Sequence, residues 1–336
     1  MRESALAFLR CPACHAEGRW DMRVEREDER EVREAELTCQ ACGVARRVGD
    51  GIVQLMDAAP DYVVKEAAGL ERFAEFMGNT GWDRKKVLEL PYVELGYWYA
   101  QARAMEQVLD GGAPGVEIEP GLRTLDVGSN TCWASAMLAA RGLDVVALDI
   151  ALHEMQGLRT ADWWFEDRDV YFERLLGVMF DLPLADDSFD LVWCSEVLHH
   201  NHRQHLYRTM RELYRVVKPG GHVLVMNEPV RGLRSPKLNP GADVAMFEGH
   251  EHAYLRRSYV AAAHRAGFET SLFAPPNYPM LGEEPFGLTM RMGTLMGFRV
   301  ALAHGLRRNR FFRAAYLARL NYVIGLSLQM VCTKPH

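Results

Sequence analysis

The chain has 336 residues, 49% of them hydrophobic, enough for one large domain or two modest ones around a substantial core. Its 39 Lys and Arg residues against 45 Asp and Glu give a formal net charge of −6, which removes any global electrostatic pull toward nucleic acid. No stretch approaches the roughly 20 consecutive apolar residues that span a bilayer. The apolar core of the first residues is too short for a secretory signal, so a cytoplasmic protein is expected.

Residues 1–58 read as a unit of their own. Two Cys-x-x-Cys pairs, Cys11 with Cys14 and Cys39 with Cys42, are separated by 24 residues. In a reducing compartment such pairs hold metal rather than form disulfides. Four thiolates make a closed tetrahedral site with no open position for catalysis, so structural zinc is expected. The mixed-charge run at 25–36 reads as a solvated hairpin. The two pairs, followed by Gly49-Asp50-Gly51-Ile52 and Leu55-Met56, resemble the small zinc-ribbon activator protein that partners tRNA and release-factor methyltransferases. That resemblance covers residues 1–58 and implies a ribbon fused in cis.

Residues 59–115 carry apolar and aromatic side chains at helical steps. Leu70, Phe73, Phe76 and Met77 form one set, followed by Val93 and Tyr97, then Met105, Val108 and Leu109. A helical cap packed on the next domain is expected. Tyr92, Tyr97, Trp98 and Tyr99 read as core, with pocket lining as the alternative. The glycine-rich stretch at 111–115 reads as a linker.

The stretch 124–149 has the pattern strand, turn, helix, strand, which suits one βαβ unit of a parallel sheet. Gly128 stands where the turn needs backbone without a Cβ, which allows a ligand to approach closely. Asp149, 23 residues after Asp126, falls where such folds place an acid on the hydroxyls of a ribose. An adenosine-bearing ligand is therefore expected. A dinucleotide needs Gly-x-Gly-x-x-Gly, but here Trp133 would crowd a pyrophosphate. S-adenosylmethionine has no pyrophosphate, and the Asp-x-Gly turn resembles the first motif of class I S-adenosylmethionine-dependent methyltransferases. That motif usually continues with two further glycines, where this chain has Asn130 and Cys132. Asn tolerates the left-handed conformation better than most residues. The resemblance implies that Asp126, Gly128, Ser129, Asn130, Asp149 and Ile150 hold the cofactor.

Further along, residues 177–180 read as a third strand, followed by Asp181 and Leu182, where the resemblance implies contacts to adenine. Ser188-Phe189-Asp190 leads into a fourth strand ending at Ser195, which joins the cofactor set, and then to Val197-Leu198-His199-His200. With Lys218-Pro219-Gly220-Gly221 these motifs extend the resemblance over about residues 120–230, to the small-molecule subgroup. Leu206, Met210, Leu213 and Val217 step by four, three and four, one apolar stripe of a helix between them. A fifth strand at 223–226 precedes Asn227 and Glu228, and a helix at 258–266 stops at Gly267. Strand six is expected at 268–273 and the last strand at 326–332. Between them, residues 287–322 hold seven arginines and no acid among large apolar side chains. This insertion reads as a lid or packing helix, with peripheral contact to anionic lipid as the alternative.

Methyl transfer from a sulfonium needs alignment, exclusion of water and, for a protic acceptor, a base. His200 is the first candidate base, ahead of His199, Glu228 and His250. The expected architecture is an α/β, doubly wound Rossmann-like methyltransferase sheet at 116–336, with the zinc ribbon at 1–58 and the helical cap at 59–115. The expected function is S-adenosylmethionine-dependent methylation of a small or lipid-linked acceptor, such as a sugar or secondary metabolite. An RNA methyltransferase is disfavoured by the acidic charge and by the lack of an Asn-Pro-Pro-Tyr-type site after the fourth strand. A non-catalytic scaffold is the remaining alternative.

Overall fold

Largely apolar runs form the centre of the sheet, because parallel strands covered on both faces leave no position for a solvated side chain. The computed structural model describes residues 1–56, 59–93, 96–231, 253–273 and 327–336; the basic insertion at 287–322 and His250 lie outside them. Strands β1 (Trp20–Glu27), β2 (Val32–Cys39), β3 (Ala45–Gly49) and β4 (Ile52–Gln54) build the amino-terminal ribbon. Helices α1 (Asp61–Asn79), α2 (Arg84–Leu88) and α3 (Gly96–Gln107) follow. The remainder alternates: β5 (Arg123–Val127), α4 (Trp133–Ala140), β6 (Asp144–Asp149), α5 (Ala161–Arg168), β7 (Glu173–Leu176), β8 (Phe189–Ser195), α6 (Arg203–Val216) and β9 (Val217–Pro229). Helix α7 (Arg256–Ala266) and strands β10 (Glu269–Leu272) and β11 (Ser327–Thr333) complete the described elements.

All strands belong to one sheet in the order β1-β2-β3-β4-β7-β6-β5-β8-β9-β11-β10. Pairing is parallel from β4 through β7, β6, β5 and β8 to β9, and antiparallel at both ends. This is the doubly wound α/β sheet expected from the sequence. From β5 the chain turns to β6 on one side and later to β8 on the other, so the crevice beyond the carboxyl ends of β5 and β8 is the switch point where ligands bind. The stripe of α6 is buried as expected, except that Val216 and not Val217 closes the helix. Gly267 caps α7 in the left-handed conformation, φ 111°. No described helix is long and apolar enough to cross a membrane.

Three expectations need correction. The third strand of the Rossmann-like part is Glu173–Leu176, and residues 177–180 form the loop after it. Its charged residues disguise it: Arg174 is fully buried and Glu173 only 7% exposed. Their partners come from the ribbon and from α5. Arg174 pairs with Glu31 and, at 2.8 Å, with Asp162, while Glu173 accepts the Arg2 backbone N–H at 3.0 Å. The Glu31 carboxylate also takes the Met1 amino group at 2.8 Å and Arg33 at 2.7 Å. The charged run at 25–36 is thus solvated along β1 but contains one buried acid.

The ribbon, secondly, is not packed as a separate body. Strand β4 pairs in parallel with β7, Ile52 beside Arg174 and Gln54 beside Leu176. Phe8, Leu37, Val48 and Leu55 share one apolar cluster with Leu148, Leu175 and Leu184. Thirdly, the buried face of α1 runs through Val63, Glu66, Gly69 and Ala74, while Phe76 is exposed.

Removing one member of a buried charge network strands the others in a low-dielectric interior. Arg174→Ala is therefore expected to cost about 3–5 kcal/mol, read as a lower urea midpoint; a loss within about 0.5 kcal/mol, the range of ordinary surface substitutions, would refute the network's role.

Candidate functional site

The two Cys-x-x-Cys turns are built alike. Cys11 donates its backbone N–H to Ala16 O and Cys39 donates to Val44 O, while the Cys11 and Cys39 carbonyls accept from His15 and Gly43. His15 and Gly43 both take positive φ, 60° and 74°, which turns each loop so that its two thiols converge. All four sulfur atoms lie within 4.8 Å of one another, with Cys11 to Cys42 at 3.8 Å and Cys14 to Cys39 at 3.7 Å. Tetrahedral zinc with bonds of about 2.3 Å separates its sulfurs by about 3.8 Å, so the donor set fits the ion. Burial pushes the Cys11 thiol up to about 12; at Cys39 the same effect is outweighed by backbone N–H groups of Cys42 and Ala41, and the thiol falls to about 7.

Because the ribbon shares the sheet and its core, zinc removal is expected to lower the melting midpoint of the whole unit. The check is calorimetric scanning of metal-loaded and chelator-treated protein; an early transition confined to residues 1–58 with the remainder unmoved would contradict it.

The second site lies at the switch point. A cleft of ≈ 700 Å³, counting its open mouth, is lined by Gly128, Asn130, Asp149, Ile150 and His200 from the expected set. Val178, Met179, Phe180, Glu196, Val197 and Asn201 also line it, and α1 closes one side with Tyr62, Val63, Glu66 and Leu70.

The turn after β5 reaches this position through three left-handed residues: Gly128 (φ 73°), Asn130 (φ 44°) and Cys132 (φ 56°). Asn130 and Cys132 thus keep the glycine conformation without the glycine. Cys132 is fully buried, which raises its thiol. The space a Cβ on Gly128 would fill is held by Val197, whose Cγ2 would lie 2.3 Å away. Gly128 is therefore required by the packing of two loops and by its left-handed backbone. Asp149 ends β6 with its Oδ2 accepting the Asn130 backbone N–H at 2.8 Å and Oδ1 that of Ala151 at 2.9 Å. Burial raises its carboxyl against the lowering effect of these N–H groups.

Other expected residues sit behind the wall. Asp126 is buried, accepts the Ser135 hydroxyl at 2.5 Å and is pushed up by burial to about 7. Ser129 is buried and donates its backbone N–H to Leu148 O. Ser195 ends β8 beside Met226, and the neighbouring Glu196, at φ 51°, is the one that faces the cleft. Asp181 pairs with Arg208 at 2.9 Å on the surface, and Leu182 is buried, its N–H on Glu212. The loop at 177–180 lines the cleft in their place because the strand before it ends earlier than expected.

Among the proposed bases that lie in the described residues, only His200 lines the cleft. Glu228 is fully buried: Oε2 accepts backbone N–H groups of Val197 and Leu198, both at 3.1 Å, and Oε1 accepts that of His199 at 2.6 Å. His199 Nδ1 lies 3.0 Å from the same oxygen. Glu228 and His199 therefore shape the loop after β8. The residues missed in the sequence are Glu66, Tyr62 and Glu196. Glu66 Oε1 lies 2.7 Å from His200 Nδ1, and Glu196 accepts Gln101 Nε2 at 2.5 Å.

Residues 125–225 match the family described as a methyltransferase domain. A methyltransferase of Streptomyces halstedii is 31% identical over 149 residues, 42% of this chain and 52% of that one. The demethylmenaquinone methyltransferase of Renibacterium salmoninarum is 33% identical over 155 residues, 46% of this chain and 56% of that one. The chain thus spans about half the length of these two curated relatives. Among solved structures, geranyl diphosphate C-methyltransferase from Streptomyces coelicolor A3(2), crystallised with Mg2+, geranyl diphosphate and S-adenosyl-L-homocysteine, aligns over 82% of this chain and 98% of that one. Its TM-score of 0.52 at 14% identity is a likeness of fold.

Proposed function

We infer that this chain, which over residues 125–225 belongs to the class I S-adenosylmethionine-dependent methyltransferases, methylates a small or lipid-linked acceptor in the cleft beyond β5 and β8. The observation that carries the reading is Asp149. It stands at the end of β6 on the cleft wall, oriented by two backbone N–H groups, opposite a turn with glycine geometry at every second residue. The organisation that fits is a zinc ribbon at 1–58, a helical cap at 59–115 and the methyltransferase part at 116–336.

When bound, S-adenosylmethionine supplies an already activated methyl group. The chain's own residues have to bind, align and exclude water. Asp149 would take the ribose hydroxyls on its remaining lone pairs, and Ile150 and the 178–180 loop would flank the adenine. No lysine or arginine is among the described lining residues, whereas Glu66, Asp149 and Glu196 are, a balance that favours a cationic ligand. His200, on the cleft wall, would take a proton from the acceptor. The zinc set is closed and holds the ribbon together.

Calorimetric titration of the protein with S-adenosylhomocysteine, with NAD as control, tests this reading. Micromolar binding of the former alone is expected, and Asp149→Ala is expected to weaken it at least tenfold, about 1.4 kcal/mol. Equal affinity in the variant would remove the ribose assignment, and binding of neither compound would favour a scaffold without turnover.

A further inference from the structure

Where the first turn of α1 meets the start of α6, four rings pack together at the edge of the cleft. Tyr62 stacks on His202, with 4.1 Å between ring centroids, and on His205 at 5.6 Å. Phe180, from the loop after β7, lies 6.2 Å from Tyr62 and stacks on His205 at 4.4 Å. Tyr62 and Phe180 line the cleft, whereas His202 and His205 are not among its described lining residues. The stack therefore ties α1 to α6 and to the 177–180 loop from outside the ligand space.

This contact is sensitive to charge on His205. Its Nδ1 is enclosed without a hydrogen-bond partner. A neutral ring can leave that nitrogen bare, but an imidazolium places an N–H there with no acceptor. The Phe180 face that could offset the charge is shared with the Arg208 guanidinium, 5.6 Å from its centroid, so protonation sets a second cation beside the first. Burial, Arg208 and His202 all hold the His205 imidazole below its ordinary value. The other titratable and charged groups on the packed elements are Asp181, paired with Arg208 at 2.9 Å, Glu66, 2.7 Å from His200, Tyr254, bonded to the Asn201 carbonyl, and Arg203, exposed at the start of α6. None of them is among the charges that act on His205.

Building on the cofactor reading, we propose that this stack is a pH-sensitive latch: neutral His205 seats Tyr62 and holds α1 over the cleft, and protonation of His205 loosens the helix and weakens cofactor binding. A proton is held less tightly on His205 in the closed stack than in the open one. Closure is therefore unopposed above the ordinary imidazole value of 6.5 and increasingly opposed as the pH falls below it. Cofactor binding, which favours the closed helix, is opposed with it.

Calorimetric titration of the full chain with S-adenosylhomocysteine at about pH 8 and about pH 5.5 reads this coupling. Affinity is expected to be about fivefold weaker in acid; in His205→Phe, which keeps a ring without a titrating nitrogen, the loss is expected to stay below about twofold. Proton NMR of the wild-type protein reads the reciprocal effect: saturation with S-adenosylhomocysteine is expected to lower the titration midpoint of the His205 ring. An undiminished acid loss in His205→Phe, or a midpoint that the cofactor product leaves unmoved, overturns the proposal. If His205→Phe does not fold, the wild-type midpoint decides. Absence of binding at the higher pH overturns the cofactor reading and the latch with it, whereas wild-type binding of equal strength at both pH values overturns the latch alone.

Discussion

The buried pairing of Arg174 with Glu31 is the interaction on which the arrangement of the molecule depends. It lies between the edge of the parallel sheet and the ribbon, where two charges without solvent depend on each other and on the Asp162, Met1 and Arg33 groups beside them. With β7 held against β4, the ribbon's last strand runs in the same direction as the central strands and ends at the same edge of the sheet. The chain leaves that edge at Gln54 and enters α1 at Asp61, so the helix starts at the mouth of the crevice. The ribbon that carries the four-cysteine cluster thereby helps to place Tyr62, Val63 and Glu66 over the cleft.

The opposite wall is built by a second buried acid. Glu228 uses both oxygens to gather three backbone N–H groups of the segment after β8, so that segment turns sharply and sets His200 into the cleft while keeping His199 behind it. Val197 in the same segment occupies the space above Gly128. The first loop and the fourth-strand loop are therefore fitted to each other, and a change in either moves both walls. Glu228 and Asp149 are satisfied by backbone N–H groups and Asp126 by the Ser135 hydroxyl, as burial demands.

Much of this was legible in the sequence because it follows from period and turn chemistry. The apolar runs of β5, β6 and β8, the cysteine spacing and the glycine cap of α7 have local causes. Asn130 reads correctly because its side chain tolerates the conformation that the turn needs; Cys132 reads poorly because nothing local says that a cysteine will adopt it. What escaped is charge buried by a distant partner. β7 looked unlike a strand because Arg174 is neutralised by Glu31, 143 residues away. Glu66 carried no signal in the sequence because His200, which lies 2.7 Å from it, comes from the segment after β8. Glu228 looked catalytic because the amides that occupy it are backbone groups, which no side-chain pattern announces.

The central claim is that α1 and the loops after β5, β6 and β8 form one cofactor-binding cleft. Hydrogen exchange of the full chain, with and without saturating S-adenosylhomocysteine, tests it most directly. The account predicts slowed exchange together in the first turns of α1, around residues 128–131, around 149–151 and at 196–201, with β1 and β2 of the ribbon unchanged. Slowing confined to the ribbon, or absent from α1 while the loops respond, would contradict it.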